Sequence, residues 1–339
     1  MNHKPPIFLL DLPPELLLPV LSEALIIHPN PAAVLSTCKH LRDLGEPLLY
    51  RHLTLRSSHA LILCSKSSAR RHRIRTVDVR LAGGEVGSGQ IAELGALLFL
   101  HLNEIAPGGC TWNQHPVVKT RLQLDEMRLC MNSQSSPAKD DTELCVLGLI
   151  DPRSFTWIGP DPPHQFSTAI VPDACVRVFT HAAQWSSLRT IFLSNVAFPS
   201  SRSPNMTPSS SPPTSIFTSP APPTQESFTF PIMPTLERMV LRNATCFPAK
   251  ALATLVCSDA MESLSHIGLE DCYVESIWGE RVRRSHVEQA TLELDNDIKG
   301  PERIDRVRAI VVCSAMYERI EGGDRVTLRN DGQGVSLLE

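Results

Sequence analysis

The chain has 339 residues, of which 42% are hydrophobic and 20% are charged, and its formal net charge is −4. These values exclude an intrinsically disordered chain, and they give no overall attraction to nucleic acid or to an anionic membrane. The ten cysteines occur singly, without zinc-finger spacing, and no apolar span approaches the roughly 18 residues of a membrane-spanning helix.

The N-terminal apolar run is interrupted by Asp11, Glu15 and prolines, so we expect no signal peptide. We therefore expect the protein to be intracellular, in the cytoplasm or nucleus. Its cysteines should be reduced and should pack as small hydrophobic residues. We expect no cofactor, no bound metal, and no contact with a membrane or nucleic acid.

The first predicted element is an apolar helix within residues 11–27, which read DLPPELLLPVLSEALII. Pro13 and Pro14 suit a first helical turn, because their missing N–H groups would have no partner there. The HPNP sequence that follows prevents continuation. Apolar side chains cover slightly more than half of the circumference, which is wider than the stripe that an ordinary surface helix buries. The helix therefore needs cover from two sides, supplied by its own chain or by another protein.

A six-residue pattern with apolar residues at positions one, four and six recurs further along the chain. Its five clear copies are Ile74/Val77/Val79, Leu144/Leu147/Leu149, Leu188/Ile191/Leu193, Leu236/Met239/Leu241 and Leu264/Ile267/Leu269, and looser copies end at Leu124 and Leu294. Leu241 and Leu269 are 28 residues apart, within the range of leucine-rich repeats. Asn195 and Cys272 follow two or three residues after a copy, near the place of the Asn or Cys in such repeats.

Helical periodicity fills the gaps between these copies, over residues 90–105, 173–185, 249–258 and 301–320. Strands that alternate with helices indicate parallel strands joined by right-handed crossovers. Residues 199–231 are dense in Pro, Ser and Thr, and we predict a disordered insert there. The expected fold class is α/β, with an N-terminal helical module followed by an irregular leucine-rich-repeat-like solenoid.

Residues 11–53 together resemble an F-box, the helical module by which substrate receptors bind the adaptor subunit of cullin–RING ubiquitin ligases. The matching segments are Leu12-Pro13-Pro14-Glu15-Leu16, Leu35-Ser36-Thr37-Cys38-Lys39, Arg42-Asp43-Leu44 and Glu46 to Leu53. The last segment is similar to F-box proteins of basidiomycete fungi, where the module precedes an irregular leucine-rich-repeat-like region. Leu41 departs from the aromatic residue that the family usually has, and Pro19 is also unusual.

The resemblance implies an F-box-like module at residues 8–55 and a repeat region at 56–339, with the insert at 199–231 inside it. A Skp-type adaptor and the cullin ligase core would bind the module, and an unknown protein target would bind the repeats. The positions that match the family's adaptor-facing residues are Leu12, Pro13, Leu16, Val20, Leu35, Cys38 and Leu41.

No arrangement of residues predicts catalysis. Gly83–Gln90 is rich in glycine but lacks the Lys and Ser/Thr of a phosphate loop. His266 and His286 lie among repeat residues without metal-ligand spacing, and paired acids occur in turn-like contexts at Asp140-Asp141 and at Asp295/Asp297.

Two basic clusters, Arg70–Arg75 and Arg281–Arg284, are interpreted as solvated loop edges in a chain of negative net charge. The Ser-Pro and Thr-Pro dipeptides of the insert fit proline-directed phosphorylation, but a simple spacer is the favoured interpretation.

The leading functional hypothesis is a substrate receptor of a cullin–RING ubiquitin ligase, which acts through proximity and performs no chemistry itself. The alternative is an interaction scaffold with the same repeats, whose F-box no longer binds the adaptor. A third hypothesis is a hydrolase or transferase built on an α/β sheet, which would require a pocket with a perturbed His or Cys.

Overall fold

The computed structural model describes residues 9–66, 72–81, 93–99, 102, 121–133, 145–159, 170–200, 228–294, 300–315, 318–321, 324–327 and 336–338. Its α-helices are α1 Pro14–Ile27, α2 Pro31–Ser36, α3 Lys39–Arg51, α4 Ser58–Lys66, α5 Cys145–Gly148, α6 Pro172–Ala182, α7 Ala249–Val256, α8 Arg284–Leu294 and α9 Gly300–Ile310. Residues 93–99 are also helical, and 3-10 turns lie at Leu9–Asp11 and Asp259–Met261. Within the described residues, none of the helices combines the length and the apolar character that crossing a bilayer requires.

The strands are β1 His52–Leu55, β2 Thr76–Arg80, β3 Leu122–Cys130, β4 Ile150–Ile158, β5 Thr190–Ser194, β6 Arg238–Arg242, β7 His266–Glu270, β8 Val311–Ala315, β9 Glu318–Glu321, β10 Asp324–Thr327 and β11 Ser336–Leu337. Nine of them are hydrogen-bonded in the order β1-β2-β3-β4-β5-β6-β7-β8-β11, and β9 and β10 form a separate antiparallel pair. The fold is therefore mixed α/β, as predicted, with strands that follow one another in chain order.

The chain divides into two compact units, and the division falls within β4. The first unit comprises residues 1–82, 86–130 and 136–154, and the second comprises 83–85, 131–135 and 155–339.

In the first unit, helices α1 to α3 precede the parallel strands β1, β2 and β3. Val77 and Val79 of β2 are buried, and they are register partners of Met127 and Leu129 of β3. The predicted helical module ends at residue 55, but its last four residues form β1, which pairs with β2. That boundary is corrected, because Leu53 and Leu55 are buried as strand residues.

In the second unit, β5, β6, β7 and β8 are parallel, and the repeat pattern coincides with their register. Leu193 pairs with Leu241, and Leu241 pairs with Leu269. All three are buried, because every second residue of a strand points to the same side of the sheet. The copies that end at these leucines are confirmed as equivalent positions of neighbouring strands.

Two copies of the pattern are wrong as strands. Leu147 lies in helix α5, so the strand of that region begins only at Ile150. Leu294 ends helix α8, and the strand that pairs with β7 is β8, where Cys313 is the partner of Leu269.

The predicted helices are confirmed in part. Helices α6 and α7 begin within one residue of the predicted starts at 173 and 249. The predicted helix at 301–320 ends at Ile310, and the chain continues directly as β8. Of the predicted helix at 90–105, residues 93–99 and 102 are helical, and the rest lies outside the described residues.

The predicted insert needs a correction at its end. Residues 201–227 lie outside the described residues. Phe228 and Phe230 are described, and both contact Phe179 of α6 edge-on, with ring centroids 5.9 and 4.9 Å away. Phe198 also packs against both rings. The last residues of the predicted insert therefore belong to the packed second unit.

A ladder of polar residues follows the strands of the second unit. Asn195, Asn243 and Asp271 each stand two residues after the last apolar position, with φ of 61°, 50° and 48°. Each backbone N–H donates to a carbonyl at the end of the next strand, at 2.8 to 2.9 Å. Asn243 Nδ2 also donates to Asn195 Oδ1 at 2.9 Å, and Asn195 Nδ2 donates to the Gly159 carbonyl.

The prediction for Asn195 is consistent with this ladder, but Cys272 is one residue beyond it. Its thiol is buried and donates to the Leu241 carbonyl at 3.3 Å. Asp271 occupies the equivalent position instead.

Candidate interaction face of the N-terminal helices

Helix α1 has the limits that its prolines predict. Pro14 is in the first turn, and Glu15 adds a negative charge near the positive end of the helix dipole. The helix ends at Ile27, and Asn30 then caps α2 by accepting the Ala33 N–H at 3.3 Å. Pro19 lies inside α1 on its exposed side. These signals determine where α1 starts and ends and where α2 begins.

One side of α1 is sealed by its own module. Leu17, Leu21 and Leu25 are buried, at intervals of four residues that place them on one face. Leu21 and Leu25 form a cluster with Leu35 of α2, and the partly buried side chains packed against it are Val34, Leu41, Leu44, Leu48 and Leu49. Gly45 of α3 lets the helices approach closely, because a Cβ there would collide with the side chain of Leu35.

A second side of α1 is apolar and accessible. Leu16 is 58% exposed and Val20 is 47% exposed. At about 100° per residue, Leu16, Val20 and Ile27 lie within about 40° of one another, on the side away from Leu21. The buried and the exposed apolar residues therefore occupy two different faces of one helix, centred about 120° apart, which is the arrangement that a two-sided helix requires.

Exposed apolar side chains concentrate in this short segment. Of 14 large hydrophobic residues that are exposed in the described part of the chain, six lie between residues 9 and 27, namely Leu9, Leu10, Leu16, Val20, Ile26 and Ile27. Scattered exposed leucines are ordinary, but a local concentration marks an interaction surface. We call Leu9, Leu10, Leu16, Val20 and Ile27 the apolar face.

The structure separates the seven predicted adaptor-facing residues into two groups. Leu16, Val20 and Pro13 are exposed, and Leu12 is half-buried. Leu35 is only 7% exposed. The prediction that it faces a partner is corrected, because it fills the space between Leu21 and Gly45 in the module's own core.

Cys38 and Leu41, the remaining two predicted residues, are half-buried at the start of α3. The thiol of Cys38 caps the helix by accepting the Leu41 N–H at 3.4 Å. The Leu41 side chain packs against the internal cluster. Both residues have a structural role within the module, whatever their exposed atoms contact.

Positive charge is concentrated in the sequence from α3 onward. Residues 39–80 contain ten Lys and Arg against three Asp and Glu, in a chain whose net charge is −4. Lys39, Arg42 and Arg56 are exposed. The apolar face itself lies before this basic stretch, in a segment that carries the acidic Asp11, Glu15 and Glu23.

The buried cysteines are not activated. Burial raises the pKa of the Cys175 and Cys272 thiols far above the usual range and raises the pKa of Cys313 to about 12. A nucleophilic cysteine needs a lowered pKa and access to solvent, so these three thiols act as small core residues.

Within the described residues, His266 and His286 do not form part of a metal-binding group. His286 Nε2 lies 3.3 Å from a Glu280 carboxylate oxygen. In the described ranges, no group of three or more His, Cys, Asp or Glu could hold a metal ion. The Gly83–Gln90 loop and the pairs Asp140-Asp141 and Asp295/Asp297 lie outside the described residues, as do the Ser-Pro and Thr-Pro dipeptides of the insert.

The basic clusters are largely engaged by neighbouring acids where the structure describes them. Arg75 Nη1 lies 3.5 Å from Asp125, and His72 stacks on Tyr50 with ring centroids 5.4 Å apart. Arg281 pairs with the buried Asp271 at 3.2 Å. Arg70 and Arg71 lie outside the described residues.

Comparison with known proteins supplies no family: no family model matches the chain, and no curated protein or solved structure matches it either. The functional interpretation therefore depends on the geometry of the chain itself.

Sequence reasoning missed part of the apolar face. Leu9 and Leu10 lie in the 3-10 turn before α1 and are about half exposed. Their signal was a Leu-Leu pair directly before the matched segment. The exposure of Ile27 follows from its place as the last residue of α1.

Proposed function

We propose that this protein is a substrate receptor of a cullin–RING ubiquitin ligase, which binds a Skp-type adaptor through its N-terminal helices. The single observation that carries the proposal is the two-sided character of α1. Leu17, Leu21 and Leu25 are buried in the module, while Leu16 and Val20 stay exposed on the other side. The F-box resemblance of residues 11–53 supplies the identity of the partner.

The exposed side can support a specific interface. Burial of an aliphatic side chain contributes about 1.5–3 kcal/mol, and Leu16, Val20 and Ile27 are three such side chains on one face. Part of this gain is lost to association entropy, so the neighbouring Leu9 and Leu10 are needed as well. The exposed basic residues from α3 onward, such as Lys39, Arg42 and Arg56, would favour an acidic partner surface and speed association at low ionic strength.

The strands would form an irregular leucine-rich-repeat-like solenoid that presents a surface to a protein target. Three features support this finer interpretation: consecutive parallel strands, apolar positions in register from Leu193 to Leu269, and the ladder of Asn195, Asn243 and Asp271. In repeat proteins, equivalent residues of stacked units contact one another in the same way.

The proposed role involves no chemistry by this chain. The receptor holds a target near the ligase, which raises the effective concentration of target lysines. No cofactor or metal is needed for that role, and the protein would act inside the cell. The raised pKa values of the buried thiols give no support to the hydrolase or transferase hypothesis.

Co-purification with a Skp-type adaptor tests the proposal. The full chain is co-expressed with the adaptor as wild type, as Leu16→Asp and as Leu63→Asp. Leu63 of α4 is the matched control, because it is 55% exposed and lies outside the apolar face. Adaptor should be recovered with the wild type and with Leu63→Asp but not with Leu16→Asp. Equal recovery with all three, or recovery with none, contradicts the proposal.

One observation favours the scaffold alternative. Leu35 is buried and Leu41 packs against the internal cluster, so two of the seven matched positions contact the module's own core. A scaffold whose module no longer binds the adaptor would give no recovery in any of the three preparations while the chain remains folded.

A further inference from the structure

Residues 272–282 form a small hairpin after strand β7. Tyr273 and Arg281 are antiparallel bridge partners. One residue further toward the tip, the Val274 N–H donates to the Glu280 carbonyl at 2.9 Å. The backbone therefore leaves the sheet, turns within a few residues and returns along itself. We call residues 274–280 the hairpin tip.

A turn at the hairpin tip brings a tryptophan into solvent. The Gly279 N–H donates to the Ser276 carbonyl at 2.8 Å, so Ile277 and Trp278 occupy the two central positions of a four-residue turn. Trp278 is 60% exposed, and it is the one aromatic residue among the exposed large hydrophobic residues of the described part of the chain. Tryptophan has a large apolar surface, and at interfaces it is among the residues that most often dominate the binding energy.

The rest of the second unit holds the hairpin in place. Cys246 donates to the Glu275 carbonyl through its backbone N–H at 2.8 Å and through its thiol at 3.0 Å. Arg281 pairs with the buried Asp271 at 3.2 Å, and its guanidinium lies over the Tyr273 ring at 5.9 Å. A backbone that is already ordered has less entropy to lose when a partner binds. The hairpin tip is therefore suited to present Trp278 to another molecule.

The hairpin tip is also acidic. It contains Glu275 and Glu280 and no Lys, Arg or His, and both glutamates lie within three positions of Trp278. Glu280 lies 3.3 Å from His286 Nε2, yet its side chain stays 63% exposed, and Glu275 is exposed as well. The face of an indole ring attracts a cation, and nearby carboxylates add to that attraction. The same carboxylates would repel a phosphate group.

We propose that the hairpin tip binds a basic segment of a protein target, with an arginine or lysine side chain over the Trp278 ring and the opposite charge supplied by Glu275 and Glu280. The inference rests on the proposed function, in which the strands present a surface to a target, and it names the chemistry of that target. A protein segment fits better than a nucleic acid or an anionic membrane, because the carboxylates disfavour both. Arginine fits better than lysine, since its planar guanidinium stacks on aromatic rings.

Fluorescence anisotropy with two labelled synthetic peptides tests the inference on the full chain. One peptide contains Ser-Arg-Ser-Arg-Ser. The other carries citrulline, which has a similar planar shape but no charge, in place of both arginines. The arginine peptide should bind at least about two- to fivefold more tightly, which is the size of a cation–π contribution at an exposed site. Equal affinity for the two peptides, or no binding of the arginine peptide, overturns the inference.

Trp278→Leu separates the aromatic ring from apolar surface in general. The variant keeps an apolar side chain at the turn, and it should weaken the arginine peptide about two- to fivefold more than the citrulline peptide. Leu292→Ala is the control, because Leu292 is 51% exposed on α8 of the same unit, and it should bind both peptides as the wild type does. Equal weakening of the two peptides by Trp278→Leu would mean an apolar contact without a cation, and the inference would be wrong.

Glu280→Gln and Glu262→Gln test the contribution of charge. Both substitutions remove one negative charge from an exposed position of the second unit, but Glu262 lies outside the hairpin tip. Glu280→Gln should weaken the arginine peptide about two- to fivefold, as for an exposed ion pair, and Glu262→Gln should leave its affinity unchanged. If both reduce the affinity equally, the effect is one of net charge and the inference is wrong.

Glu280→Gln also provides a second variant should Trp278→Leu disturb folding, which circular dichroism would detect. Because no adaptor is present in these titrations, failure here leaves adaptor binding by the N-terminal helices untouched.

Discussion

Replacement of Asn243 by Ala and by Gly separates two contributions of the polar ladder to stability. Asn243 has a φ of 50°, its Nδ2 donates to Asn195 Oδ1 at 2.9 Å, and its backbone N–H donates to the Glu270 carbonyl at 2.8 Å. Glycine can adopt this φ without strain, whereas alanine cannot. Both variants remove the side-chain hydrogen bond.

The magnitudes follow from these contacts. Loss of the hydrogen bond, which leaves the half-buried Asn195 Oδ1 without its donor, costs about 1–2 kcal/mol. A left-handed alanine adds about 1–2 kcal/mol of strain, while glycine adds about 0.4–1 kcal/mol through the entropy of the unfolded chain. We therefore expect Asn243→Ala to be destabilised by about 2–4 kcal/mol and Asn243→Gly by somewhat less.

Urea unfolding of the full chain, followed by tryptophan fluorescence, measures both values. Trp157 and Trp185 are buried in the second unit and report on its unfolding. Variants that both unfold within about 0.5 kcal/mol of the wild type, close to the scatter of ordinary surface substitutions, would refute a stabilising ladder. A glycine variant less stable than the alanine variant would refute the assigned backbone strain.

Three further predictions concern the two units separately. Pro19→Ala should raise the free energy of unfolding of the first unit by about 1–2 kcal/mol, because it restores a donor to the Glu15 carbonyl within α1. Chemical denaturation measures this free energy, and an unchanged value would contradict the expected cost of Pro19. Phe230→Ala should destabilise the second unit by about 3 kcal/mol through lost contacts with Phe179 and Phe198, and a thermal midpoint equal to that of the wild type would contradict the packing. Burial and Arg51 lower the pKa of His52 from its ordinary 6.5, so stability present above that value should be lost as pH falls through the folded pKa. Between pH 7.5 and 5.5, the free energy of unfolding should fall less for His52→Gln than for the wild type, as chemical denaturation at the two pH values measures. An equal fall for both proteins would contradict the role assigned to His52.

The sequence predicted most of what depends on local periodicity and proline chemistry. The limits of α1 follow from Pro14 and the HPNP segment, and the pairing of Leu241 with Leu269 follows from their 28-residue spacing. Both depend on strong local signals that tertiary packing reinforces.

The remainder depended on information that a single pattern does not contain. The six residues aligned with the pattern at β8 begin with the charged Arg308 of α9 and end with Cys313, so this strand lacks a leucine signature, whereas Leu294 matches the pattern but ends a helix. In β4 the buried positions include Phe155 and Trp157, and none of them is a leucine. Periodicity alone does not distinguish these cases.

The apolar face was predictable only in part. Leu16 and Val20 face outward as the resemblance implied, but Leu35 turns inward because Gly45 provides space for it against Leu21. Which side of a short helix such as α2 is covered depends on the approach of a neighbouring helix, and a sequence pattern of six residues does not record that approach. The left-handed backbone of Asn243 is likewise set by the next strand.

Isothermal titration of the purified full chain with a purified Skp-type adaptor tests the central claim most directly. Wild type and Leu63→Asp should bind with Kd values within twofold of each other, with a negative heat-capacity change that marks apolar burial. Leu16→Asp and Val20→Asp should each weaken binding by at least about thirtyfold, since each buries a charge where an aliphatic group was. Equal affinity for all four proteins, or no binding by the folded wild type, would contradict an adaptor interface on the exposed side of α1.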